Sequence, residues 1–391
     1  MKKLQYIIGN EQCLQEMSAV RAWKPFEARA INFCNELSAA LLKLDDTAAY
    51  SDLIALAFWL RKNNLQRISQ QYNMPSDRLG KGLVFHIAPG NVPLSFAYSL
   101  ATGLLTGNTN VIRLSSRRFE QAEIFCSVLR KLLSNAPEIS QRLCLIRYPH
   151  DRDITDELSA MCHIRIIWGG DATVNTIRRS PIPPRATEIT FANRFSICLI
   201  DADKYLSDYN PKKTAHDFFI DTYLTDQNAC SSPRIVFWLG TRKDEAKQIF
   251  WRALHNEIHD YNLASVTTVD KLLTFCKFAA ENACRLMIED DFKIMRVAVE
   301  KPSAAMLENI GSGGYFYECD IAETSDILPI CTWELQTISY IGADENKLQE
   351  LVLSNAPDGV DRIVPVGRTM EFNFVWDGRD VITEMTRRIV L

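Results

Sequence analysis

From Leu83 onward, short apolar runs alternate with stretches whose apolar residues recur every three or four positions. Leu83-Val84-Phe85-His86-Ile87 precedes a helical pattern over 94–105, and Asn110-Val111-Ile112-Arg113-Leu114 precedes one over 118–133. Leu143-Cys144-Leu145-Ile146 leads into 151–161, Ile164-Arg165-Ile166-Ile167-Trp168 leads into 172–178, and Ser196-Ile197-Cys198-Leu199-Ile200 closes the series. Continuous apolar strands, each followed by a helix, predict a parallel sheet covered on both faces, hence an α/β fold. Such sheets bind ligands at the carboxyl ends of their strands.

Before this series the rhythm is helical. Ile31, Phe33, Leu37, Leu41 and Leu42, then Leu53, Leu56, Ala57 and Leu60, follow helical spacing, and no glycine occurs between Gly9 and Gly80. After residue 215 a weaker α/β pattern follows. It has a strand over 234–239, helices over 243–259 and 269–280, a Gly311-Ser312-Gly313-Gly314 loop, and a strand at Ile338-Ser339-Tyr340-Ile341. The tail holds a strand at Arg362-Ile363-Val364-Pro365-Val366, an Asp377-Gly378 turn and a last helix. The expected organisation is a helical segment over 1–80, a first α/β domain over 81–214 completed by 363–391, and a second over 215–362.

One stretch carries chemistry that a packed core does not explain. Asp226-Gln227-Asn228-Ala229-Cys230-Ser231-Ser232-Pro233 places a cysteine in a polar turn between a helical pattern and an apolar strand. A sulfur there is reachable, and polar or cationic surroundings favour the thiolate that attacks carbonyls; a buried cysteine is simply a small hydrophobe. Composition narrows the setting. Among 391 residues, 47% are apolar, 24% are charged and the net charge is −4, which gives no basic block for nucleic acid or an anionic membrane. Met1-Lys2-Lys3 is not followed by an apolar stretch of signal-peptide type, and no apolar run approaches the ~18 residues of a membrane span. The 11 cysteines are odd in number and contain no C-x-x-C pair, which argues against zinc spacings and a disulfide framework and for a reducing cytoplasm.

Ala88-Pro89-Gly90-Asn91-Val92-Pro93-Leu94 follows a strand and opens a helix, with Pro93 suited to the first helical turn. It is sufficient as turn chemistry, yet it also exposes the Asn91 amide where an oxyanion donor acts. The sheet lacks G-x-G-x-x-G; Gly169-Gly170-Asp171 is its nearest substitute for phosphate approach. The Gly311–Gly314 loop lacks the Lys-Ser/Thr of a phosphate-binding loop, and no G-x-S-x-G elbow appears. His255 and His259 stand four apart without the protease order or a third ligand, so a solvated helix face is expected rather than a metal site. His86 reads as a satisfied core histidine.

Three segments resemble the LuxC-type acyl-CoA reductases, the acyl-protein thioester reductases of bacterial luminescence, and behind them the aldehyde dehydrogenase superfamily. They are His86-Ile87-Ala88-Pro89-Gly90-Asn91-Val92-Pro93 with Thr106-Gly107-Asn108-Thr109-Asn110-Val111-Ile112-Arg113; the Asp226 to Pro233 stretch; and Gly359-Val360-Asp361-Arg362-Ile363-Val364-Pro365-Val366-Gly367 with Trp376-Asp377-Gly378. The resemblance implies an aldehyde dehydrogenase-like fold with two Rossmann-like domains. It makes Cys230 the nucleophile that becomes acylated and Asn91 the oxyanion donor, assisted by the Cys230 N–H. Arg113 falls where dehydrogenases hold the adenosine ribose, Gly169 and Gly170 fall near the pyrophosphate loop, and Glu334 resembles the residue on the nicotinamide ribose. It further implies NADPH, an acyl-CoA or an acylated partner protein (acyl-protein synthetase or acyltransferase) as donor, and a homo-oligomer.

Thr190 aligns with the general-base glutamate of hydrolytic aldehyde dehydrogenases, with Glu188 two residues away. Without that base, water is poorly activated to cleave an acyl-enzyme. The expectation is reduction of an acyl-Cys230 thioester to an aldehyde. An oxidising aldehyde dehydrogenase, needing a base near Glu188, and a non-catalytic partner-binding subunit, expected to lose Cys230 or Asn91, are the alternatives.

Overall fold

The computed structural model describes residues 4–72, 77–289 and 291–390, apart from the side chains of residues 46 and 48. The chain divides into two units, Met1–Ala192 with Phe374–Leu391, and Asn193–Asn373.

The first unit carries a six-stranded sheet in the order Gln5–Ile8, Leu143–Arg147, Thr109–Arg113, Leu83–Ile87, Ile164–Trp168, Thr187–Phe191. All neighbours are parallel except Gln5–Ile8, which runs antiparallel along Leu143–Arg147. Residues from both faces of the Leu83–Ile87 strand are buried, which explains its unbroken apolar run. Leu83, Phe85 and Ile87 pack with Val111, Cys144, Ile146 and Ile167 under the helix Arg152–Met161. On the other face His86 is fully buried, its Nδ1 2.7 Å from Ser99 Oγ and its Nε2 3.0 Å from Asn110 Oδ1. The helix Ser95–Leu105 reaches this pair only because residue 103 is glycine: a Cβ there would stand 1.7 Å from Asn110 Oδ1.

The second unit carries a seven-stranded sheet in the order Arg285–Ile288, Met295–Val299, Tyr315–Asp320, Pro233–Leu239, Phe195–Asp201, Leu335–Ile341, Arg362–Pro365. Only the Arg285–Ile288 edge is antiparallel to its neighbour. Alternation sorts the side chains cleanly. Ile197, Leu199, Ile235 and Phe237 enter one core cluster, while Cys198, Ile200, Val236 and Trp238 enter the other. No helix among the described residues is long and apolar enough to cross a membrane.

The α/β reading therefore holds, and several boundaries move. The lead-in does form helices, Ala28–Leu41, Ser51–Trp59 and Lys62–Tyr72, but it belongs to the first unit and contributes the edge strand Gln5–Ile8. Residues 73–76 of that stretch lie outside the described residues. The strand expected to close the first domain, Phe195–Asp201, instead sits centrally in the second sheet, and the division falls after residue 192 rather than 214. An apolar run records that a strand is buried on both faces and says nothing of which sheet it joins. Likewise Arg362–Pro365 stays with the second unit, and the return to the first begins at Phe374, whose ring packs at 5.9 Å on Phe26 and 5.5 Å on Trp59. Pro93 lies in the turn ahead of Ser95–Leu105 rather than in its first helical turn.

Burial pushes His86 down to about 4 from its ordinary value of 6.5, because its charged form is desolvated. The unfolded chain therefore binds the proton first as pH falls, and stability is lost from about 6.5 down through 4. We expect the first unit to lose about 2 kcal/mol between pH 7 and pH 5 through this residue. Urea unfolding of His86→Gln at the two pH values should show that part of the slope gone.

Candidate active site

The cysteine turn is prepared by the helix Pro211–Thr222, which starts with Pro211 in its first turn and Asn210 accepting from the Lys213 N–H. After the short 3₁₀ turn Tyr223–Thr225, Asp226 and Gln227 both take left-handed backbone, with φ of 51° and 58°. Two successive non-glycine residues in that region cost about 1 kcal/mol or more each. The offset is visible around Gln227, which is fully buried. Its Nε2 donates to the carbonyls of Pro233 (2.9 Å) and Tyr315 (3.0 Å), and its Oε1 accepts from the N–H groups of Gly314 (3.0 Å) and Tyr315 (3.1 Å). Asp226 adds a carbonyl that accepts from Gly313 N and a carboxylate that accepts from Tyr261 Oη at 2.8 Å. The Gly311–Gly314 loop is therefore the far wall of the cysteine turn. Gly314 has φ of +83°, and a Cβ there would stand 2.0 Å from Lys293 O. Buried Lys271 donates to the carbonyls of Gly313 (2.8 Å) and Phe292 (2.5 Å).

Cys230 is half-buried at the end of this turn. Its carbonyl accepts from Ser196 Oγ at 2.7 Å, and its sulfur accepts from Gln336 Nε2 at 3.2 Å. Burial pulls the Arg234 guanidinium down and attraction to Cys230 partly opposes this, so that at about 10 it still carries its charge at neutral pH. Other cysteines sit differently. Burial pushes the thiols of Cys34, Cys126, Cys144, Cys162, Cys198 and Cys331 up to about 12, where they are inert as nucleophiles.

The remaining predicted residues divide between the units. In the first, Asn91, Arg113 and the Gly169-Gly170 pair follow three strands that are neighbours in the parallel sheet, so all lie at its carboxyl edge. Asn91 is exposed in the loop before Ser95–Leu105. Arg113 ends its strand with its guanidinium 4.7 Å above the Tyr148 ring, and its Nε is buried with no hydrogen-bond partner among the described residues. Gly169 N donates to Phe191 O, and Gly170 caps the short helix Asp171–Ile177. In the second unit Glu334 is exposed just before Leu335–Ile341, and its carboxylate accepts from Thr332 Oγ1 at 2.7 Å. His255 and His259 turn to separate carboxylates, Asp291 and Asp260, and no group of three metal-binding side chains occurs among the described residues.

With this geometry in place, comparison with known proteins is decisive for ancestry. Residues 26–293 match the family described as acyl-CoA reductase (LuxC). The chain belongs to that family. A long-chain acyl-protein thioester reductase of Photorhabdus laumondii is 31% identical over 169 residues, 43% of this chain and 34% of that protein. One of Photorhabdus luminescens is 27% identical over 300 residues, 73% of this chain and 58% of that protein. The matched parts thus span only about a third to three fifths of these relatives. Among solved structures, aldehyde dehydrogenase 21 of Physcomitrella patens superposes with a TM-score of 0.70 at 12% identity, covering 97% of this chain and 89% of that one. At that identity the likeness shows the fold, which is that of the aldehyde dehydrogenases.

Within this LuxC chain, Thr190 and Glu188 lie on the edge strand Thr187–Phe191. Glu188 is clamped: one oxygen accepts from Arg165, through both Nε (2.8 Å) and Nη2, and the other accepts from Arg178 Nε at 2.7 Å. Sequence reasoning passed over Gln227, Gln336, Arg234 and Ser196. Gln227 and Arg234 stand three before and four after Cys230, but no pattern marks them as the groups that hold it, and Ser196 and Gln336 are far from it in sequence.

Gln227→Ala should destabilise the second unit by about 2–4 kcal/mol, since it strands two buried N–H groups and two carbonyls. Gln227→Glu keeps the acceptor side but sets an anion against the carbonyls of Pro233 and Tyr315, so it should not rescue. Urea unfolding followed by tryptophan fluorescence reads both.

Proposed function

We propose that the chain reduces an activated acyl group to an aldehyde through a covalent acyl-Cys230 intermediate. The observation that carries this reading is the presentation of Cys230: a reachable sulfur, donated to by an amide and attracted to a half-buried guanidinium, in a chain of the LuxC family. Sγ attacks the acyl carbon, the new C–Sγ bond forms, and the bond to the donor's thiol or phosphate breaks with its electron pair leaving on the donor. The proposed donors to the carbonyl oxygen during this step are the Asn91 amide and the Cys230 N–H. One such donor is worth about 3 kcal/mol. Collapse after reduction breaks the C–Sγ bond, returns its electron pair to sulfur and releases the aldehyde.

The reductant fits a nicotinamide dinucleotide. Arg113 supports this, because an unpartnered buried Nε on a cation at the carboxyl edge of a parallel sheet suits an anionic or ribose-bearing ligand. When bound, the nicotinamide supplies a hydride, the two electrons that the acyl carbon needs. Arg113, Gly169, Gly170 and Glu334 are proposed to hold the nucleotide, with NADPH as the form used. The acyl donor is proposed to be acyl-CoA or an acylated partner protein, by analogy with relatives named as acyl-protein thioester reductases. A cytoplasmic homo-oligomer completes the proposal. The engagement of Glu188 by Arg165 and Arg178 favours reduction over oxidation to the acid, since it holds that carboxylate in ion pairs along its edge strand.

Incubation with acyl-CoA, without reductant, should add one acyl mass to the intact protein, and Cys230→Ala should abolish it. An adduct that survives Cys230→Ala, or active protein with none, refutes the intermediate. Asn91→Ala should lower the acylation rate by ~10²–10³-fold in protein shown to be folded.

A further inference from the structure

The strands on either side of Phe195–Asp201 each carry an irregularity at the level of Cys230. Along one flank Leu335 pairs with Phe195 and Thr337 with Ser196, so Gln336 is the extra residue. Along the other, Ser196 pairs with Pro233 and Ile197 with Ile235, so Arg234 is the extra residue. Bulges are uncommon in parallel pairing, and they re-aim the side chain of the residue they add. Here the two residues set out of register are the two that act on one sulfur, and Ser196 between them holds the Cys230 carbonyl.

We propose that Gln336 is a catalytic residue whose amide N–H, aimed by a bulge and seconded by the Arg234 guanidinium, holds Cys230 as a thiolate. The orientation of the amide is fixed by its other end, where Thr337 Oγ1 donates to Gln336 Oε1 at 3.2 Å, leaving Nε2 toward the sulfur. Gln336 is fully buried, so this donor acts where water does not compete. Arg234 is itself anchored by donation to the carbonyl of Gly311, on the loop that walls the cysteine turn. The arrangement serves two moments. It populates the attacking thiolate, and it stabilises the same thiolate as leaving group when the C–Sγ bond breaks. The second role rests on the acyl-reductase reading; the first does not.

The test is the pH dependence of iodoacetamide alkylation on the full-length protein, read peptide by peptide by mass spectrometry, with exposed Cys276 as internal reference. In the wild type, Cys230 should react at lower pH than Cys276. Gln336→Leu should move the Cys230 midpoint up by about one unit, an about tenfold slower reaction at pH 7, with Cys276 unmoved. Gln336→Glu, of nearly the same shape, should move it further in the same direction because it sets an anion beside the sulfur, and it gives the same reading if the leucine variant does not fold. A Cys230 profile unchanged in either folded variant overturns the proposal. Alkylation uses no acyl donor, so a shifted profile supports the thiolate role even where acyl-CoA leaves Cys230 unmodified, an outcome that counts only against the acyl reading.

Discussion

The second unit depends on one side chain for its chemistry, the Gln227 amide. A helix that ends in two left-handed non-glycine residues is unfavourable on its own, and the four hydrogen bonds of Gln227 make it the stable arrangement. Those bonds join the cysteine turn to the start of Tyr315–Asp320, a strand nearly ninety residues later. The position of Cys230 is thus set by the sheet rather than by the flexibility of a loop. The same logic recurs on the sulfur, where strand irregularities direct Gln336 and Arg234. A rigid scaffold that pre-arranges its donors spends no reorganisation when charge develops on sulfur or oxygen.

How much of this was legible in the sequence depends on the physical signal available. Strands buried on both faces announce themselves as apolar runs, and Leu83–Ile87, Ile164–Trp168 and Pro233–Leu239 were read nearly to the residue. Met295–Val299 and Tyr315–Asp320 were not, because Arg296 and Glu318 break their apolar runs. The structure compensates that break with partners far off in sequence. Glu318 is 2% exposed, accepts from the indoles of Trp238 (2.8 Å) and Trp251 (2.7 Å), and faces Arg296. Sheet membership was illegible for a related reason: Phe195–Asp201 is equally apolar whichever sheet it joins.

The candidate site shows the same division. Cys230 stood out as a polar turn beside a strand, and Asn91 and Gly169-Gly170 as residues after strands, since local pattern carries that information; Arg113 and Glu334 entered only through the family resemblance. The residues that condition the sulfur did not stand out, because their role arises from register and not from spacing. The clamp on Glu188 belongs here too. A carboxylate two positions from Thr190 reads in sequence as a possible base, and only the guanidinium groups of Arg165 and Arg178 give it a different occupation.

We propose that Cys230 holds an acyl group for reduction rather than hydrolysis. The direct measurement is the fate of the acyl-enzyme, formed with acyl-CoA, freed of excess donor, and followed by rapid quench with and without NADPH. The thioester should persist alone and, on addition of NADPH, discharge at least ~100-fold faster as aldehyde, as expected of an acyl-enzyme lacking an activated water. Release of free acid at the same rate with or without NADPH would contradict the proposal.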